Sequence, residues 1–65
     1  MFNIGEQVLN LKTGHIGKVI GYGHEVLDSG FTPTLKVLMA RVKNSGRRGA
    51  VEEDLYSNWD QHLNS

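Results

Sequence analysis

Gln7-Val8-Leu9-Asn10-Leu11-Lys12-Thr13-Gly14-His15-Ile16-Gly17-Lys18-Val19-Ile20-Gly21-Tyr22-Gly23 is the stretch whose reading decides the fold. Residues 7–12 have the composition of a strand and end at Thr13-Gly14, a tight-turn signal. Residues 16–23 resume as a second strand with glycines at 17, 21 and 23. Counted with a period of two, these glycines share one side with Val19. Missing side chains on one face let a strand coil sharply or let another backbone approach closely, as a small curved sheet requires. A phosphate-binding loop would need a following helix, and none is signalled here.

Outward from this hairpin, residues 25–33 hold Asp28-Ser29-Gly30 and the sole proline, Pro33. They are predicted as a long connection. Residues 34–42 form the strongest strand, with Leu35, Val37 and Met39 on one face and Leu38, Ala40 and Val42 on the other. Apolar groups on both faces place such a strand centrally in a curved barrel, or beneath something that covers its outer side. Residues 43–49 read as a turn, residues 50–52 as a short fourth strand, and residues 54–57 as one 3₁₀ turn. The tail from Tyr56 through Trp59 is a short last strand or an amphipathic helix, since Leu55, Trp59 and Leu63 recur every fourth residue.

The segment Ile4-Gly5-Glu6-Gln7-Val8-Leu9-Asn10-Leu11-Lys12-Thr13-Gly14-His15-Ile16-Gly17-Lys18-Val19-Ile20 resembles the opening hairpin of KOW-type and related SH3-like barrels. In those barrels a glycine, a polar residue and a valine precede a turn, and a glycine follows two residues before a valine. Asn10 stands where that pattern prefers an apolar residue. Ala50-Val51-Glu52-Glu53-Asp54-Leu55 is similar to the acidic-leucine 3₁₀ turn that closes many of them. In length and mid-chain loop the chain is also distantly similar to the small accessory barrels of photosystem I. The fold these resemblances imply is all-β: a small five-stranded SH3-like barrel over residues 1–65, with a long second loop and a 3₁₀ turn before the last strand. They further imply docking onto a larger complex, or RNA or protein binding through Lys12, Thr13, Gly14, His15 and Lys18.

The chain has 65 residues and no cysteine, which excludes thiol catalysis, thiolate-ligated metal and disulfide staples. A reducing, cytoplasmic setting is the expectation. The start carries no signal-peptide pattern, and no window nears the roughly 20 apolar residues of a membrane helix, so membrane insertion is not expected. Seven basic and seven acidic residues cancel, which argues against a general polyanion binder. The charges are nevertheless segregated: Lys36, Arg41, Lys43, Arg47 and Arg48 precede Glu52, Glu53, Asp54 and Asp60.

His15, His24 and His62 match no compact metal motif, and the run Glu52-Glu53-Asp54 points adjacent carboxylates in different directions. No serine has a nucleophile motif around it. The chemistry therefore predicts no catalytic residue, no metal and no cofactor. What remains is a non-catalytic binding module, first as a small protein-docking or adaptor component of a larger complex, with self-association as its simplest form. The alternative is an RNA-binding, ribosome- or transcription-associated module using the basic turn 43–48. The binding residues expected are Leu38, Lys43, Arg47, Arg48, Tyr56 and Trp59, because tryptophan, tyrosine and arginine dominate interface energies.

Overall fold

The computed structural model describes residues 1–28, 30–40 and 49–63. It is all-β apart from one 3₁₀ turn. β1 (Gln7–Asn10), β2 (Ile16–Leu27), β3 (Gly30–Met39) and β4 (Val51–Leu55) are followed by the 3₁₀ turn Tyr56–Asn58 and by β5 (Trp59–Gln61). All pairings are antiparallel, in the order β4-β3-β2-β1-β5. Among the described residues no helix is long and apolar enough to cross a membrane.

Chain connectivity requires this sheet to curl. The edges of a flat five-stranded sheet lie about 19 Å apart. Leu55 ends β4 on one edge and Trp59 begins β5 on the other, and the residues between them span at most about 14 Å. The 3₁₀ turn therefore joins two edges that curvature has brought together. No backbone ladder between β4 and β5 is present among the described residues. Side chains bridge that gap instead.

Val8, Val19, Leu35, Val37 and Trp59 form the core inside the curl, with Phe2 and Tyr56 packed against it. Trp59 is only 4% exposed, and its indole N–H donates to the backbone carbonyl of Asp54 at 3.4 Å. The fourfold spacing of Leu55, Trp59 and Leu63 does not make a helix. β5 pairs with β1, with Trp59 opposite Asn10, and the strand turns the indole inward.

Two further expectations are corrected. Residues 25–33 are not a long second loop. β2 runs on to Leu27 and β3 starts at Gly30, with Glu25 opposite Thr32 and Val26 opposite Phe31. Pro33 does not break the strand, because β4 pairs only from Thr34 onward. Beyond that point β3 has one neighbouring strand, where a sheet tolerates a residue lacking an N–H. Gly30 takes a φ of 112°, a backbone conformation open to glycine, as it enters the strand.

The three alternate glycines do not share a side with Val19 either. The register slips by one residue between Val19 and Gly21, leaving Ile20 as a bulge. Gly17 and Val19 face the core, whereas Gly21 and Gly23 face Lys36, Thr34 and Glu53 on the opposite side. The same slip puts Tyr22 on the face of Leu35.

Candidate docking surfaces

Asn10, the residue that departs from the opening-hairpin pattern, is fully buried. Its side-chain oxygen accepts the backbone N–H of Lys12 at 2.8 Å and of Thr13 at 3.0 Å, which fixes the β1–β2 turn. Its amide donates to Glu52 at 3.1 Å and to Asp54 at 2.9 Å. Both carboxylates reach it because Glu52 and Asp54 pair with Val37 and Leu35 and so share their inward face. Glu53 points the other way and accepts from the buried Thr34 hydroxyl at 2.5 Å. Asp54 also accepts from the Leu55 N–H and from Asn58. The Asn10 amide is the main cause that holds the Asp54 carboxyl below its ordinary value, against the opposing effect of burial. His15 completes the cluster through Nδ1, 2.8 Å from Glu52.

This cluster is a clip between the first and fourth strands. Its hydrogen bonds are spent inside the molecule, and no buried side-chain nitrogen or oxygen among the described residues lacks a partner. A shallow depression of about 390 Å³ nearby is lined by His24, Glu25, Thr34, Glu53 and Asp54. Among the described residues no three His, Asp or Glu side chains converge as metal ligands would.

The outer face of the sheet carries an apolar groove. Leu38, 39% exposed, pairs with Lys18 on one side and with Val51, 56% exposed, on the other. Gln7, Ile16, Gly17, Lys18, Leu38, Met39 and Ala40 enclose about 260 Å³ there. Lys36 lies two residues along β3 on the same face, beside Glu53.

A second surface is the arm formed where β2 and β3 run beyond their neighbours. β1 pairs with β2 only over residues 16–18, and β4 pairs with β3 only over residues 34–38. Beyond these, among the described residues, the two strands pair only with each other. One face of this ribbon carries Tyr22, His24, Val26, Phe31 and Pro33, continuous with Leu35 and the core. Phe31 is 77% exposed and Val26 70%, with His24 packed edge-on to the Phe31 ring at 5.1 Å. The opposite face carries Glu25, Thr32 and Thr34, with Leu27 at its end. The arm is thus amphipathic, and its apolar face is uncovered at the far end.

The residues expected from sequence to bind fall in different places. Leu38 is on the open outer face. Tyr56 is half-buried, stacked on Phe2 at 5.2 Å, and its hydroxyl accepts the Phe2 N–H. Trp59 belongs to the core and offers no docking surface. Lys43, Arg47 and Arg48 lie outside the described residues. In the opening turn, Thr13 and His15 are engaged with Glu52, while Lys12 and Lys18 are exposed. Val26 and Phe31 lie in residues 25–33, where the Asp28-Ser29-Gly30 turn signal masks their strand character. Their signal was the alternation through Tyr22, His24 and Val26, mirrored from Leu35 back to Phe31. No family model matches the chain, and no curated protein or solved structure is significantly similar to it.

Proposed function

We propose that the chain is a non-catalytic protein-docking module built on a small SH3-like barrel. The observation that carries this reading is the Val26–Phe31 pair, exposed on one face of a ribbon that no other strand among the described residues supports. A two-stranded ribbon is marginal in water by itself, and an exposed aromatic at its end is a typical interface anchor. The barrel assignment draws on the curled five-stranded antiparallel sheet and the 3₁₀ turn that joins its edges. The inward carboxylates Glu52 and Asp54 are both occupied by the Asn10 amide, which leaves neither free as a general base.

Phe31→Asp tests this reading. The variant keeps the wild-type circular dichroism spectrum, because exposed substitutions change stability by about 0.5 kcal/mol or less. It loses the protein that wild type captures from native lysate, and nuclease treatment leaves wild-type capture intact. Capture that survives Phe31→Asp, or that nuclease abolishes, defeats the reading. The second of these results would move the function to RNA through the basic residues Lys43, Arg47 and Arg48.

A further inference from the structure

We infer that the arm docks into the Leu38 groove of a second copy of this chain, head to tail; the inference rests on the docking function proposed above. The two surfaces are complementary in charge and in shape. Residues 20–35 contain Glu25 and Asp28 and no lysine or arginine, so the arm is apolar with an acidic rim. The groove is the converse: Leu38 and Ile16 make an apolar centre lined by Lys18, and on the same outer face Lys18 and Lys36 outnumber the one carboxylate beside them, Glu53. Apolar anchors meeting a pocket, with opposite charges at the rim, is the arrangement that gives an interface both energy and orientation.

The dimensions agree. A groove of about 260 Å³ is smaller than the roughly 300–1,000 Å³ of small-molecule sites, and it suits a single large side chain such as Phe31. The arm cannot reach its own groove. Lys18 and Val26 are eight residues apart on one strand, a separation of about 26 Å, and they lie on opposite faces of the sheet. The contact must therefore join different molecules. The zero net charge removes the long-range repulsion that would keep copies apart, while the segregated charges orient their approach.

Because the arm and the groove are different surfaces, the interface is heterologous, and a pair of copies joined by one contact keeps one free arm and one free groove. Such contacts propagate into rings or open chains. One aromatic anchor and a short ribbon bury little area, so the association is weak and depends on concentration. High salt weakens it further through the rim charges.

Sedimentation velocity on the full chain, over a wide concentration range and at two salt concentrations, provides the test. Wild type assembles beyond a dimer as concentration rises. Phe31→Asp in the arm and Leu38→Glu in the groove each raise the half-assembly concentration by about 30-fold, equivalent to about 2 kcal/mol for an anchor residue. Val51→Glu, beside Leu38 and more exposed, serves as a second groove variant if Leu38→Glu fails to fold. An equimolar mixture of an arm variant and a groove variant gives one-to-one dimers and nothing larger, since one intact arm meets one intact groove.

Wild type that stays monomeric throughout overturns the inference, as does a mixture that recovers no dimer while wild type assembles. If wild type is monomeric but Phe31→Asp still loses its captured protein, docking through the arm stands and only the second-copy assignment falls. If capture is also unaffected, both fall.

Discussion

Replacing Gly17 by alanine leaves the chain unfolded at room temperature. A Cβ at this position would lie 2.3 Å from the Leu38 carbonyl oxygen, 2.6 Å from Val37 Cγ1 and 2.9 Å from the Leu38 carbonyl carbon. Two of these neighbours are backbone atoms held in the β2–β3 pairing, so no rotamer change relieves the clash. Overpacking a core costs about 1–3 kcal/mol when side chains can adjust, and more when they cannot. A chain of this size draws only about 3–5 kcal/mol from its core. The close approach lies within the β2–β3 pairing, so a methyl group inserted there forces the two strands apart. Gly21→Ala is the control. Its Cβ would meet only the flexible Lys36 stem, at 3.6 Å, so that variant remains folded. Far-UV circular dichroism and thermal melts of the two variants check the contrast. A folded Gly17→Ala protein with a wild-type melting temperature would show that the strands are not packed this closely.

Asn10→Ala is expected to destabilise the fold by about 3 kcal/mol, most of what the chain has. The substitution removes two donors from Glu52 and Asp54 and the acceptor for two turn N–H groups. Groups stranded in this way cost about 1–3 kcal/mol each when buried, and more when charged. The pH dependence supplies a second signature. Asp54 is held below its usual pKa in the folded state, first by the Asn10 amide. Its contribution is therefore fully present above the unfolded carboxyl value of 3.8 and is lost as pH falls through the lower folded value. Wild type loses this stability in acid below about pH 4, and Asn10→Ala shows a shallower loss over that range. Asn10→Asp reverses the sign. It sets a third carboxylate beside two others, so protonation relieves repulsion and stability rises on acidification. Urea titrations across pH 2.5–7 (about the usable acid range for carboxylates) measure all three, and parallel acid profiles for wild type and Asn10→Ala would remove the clip from the account.

These two residues also show where sequence reading reaches and where it stops. The opening hairpin was legible because Thr13-Gly14 separates two strand-like runs, and β1 and β2 form there. The alternation of Leu35 and Val37 located β3, and the acidic-leucine segment located a 3₁₀ turn within two residues of its place. Asn10 stood out from sequence as a polar residue at an apolar position. Its purpose depends on carboxylates 42 and 44 residues away in sequence, which only folding brings beside it. Trp59 drew attention as an interface type, yet its strand register turns it into the core. Composition does not encode that register.

By itself the sequence determined the class of structure: short alternating strands around glycine turns, no thiol chemistry, balanced but segregated charge, and a binding rather than a catalytic repertoire as its expectation. Tertiary structure decided which side each residue faces. The one-residue slip at Ile20 moves Gly21 and Gly23 away from the core face and brings Tyr22 onto it. Pairing across residues 25–33 converts an expected loop into an arm carrying Val26 and Phe31. The physical reason is the two-residue period of a strand. A bulge or a shift of one residue leaves local composition untouched but exchanges inside and outside for every side chain beyond it. Gly17 is the point where both levels meet: its lack of a side chain is written in the sequence, and the approach of the Leu38 backbone shows why nothing larger fits.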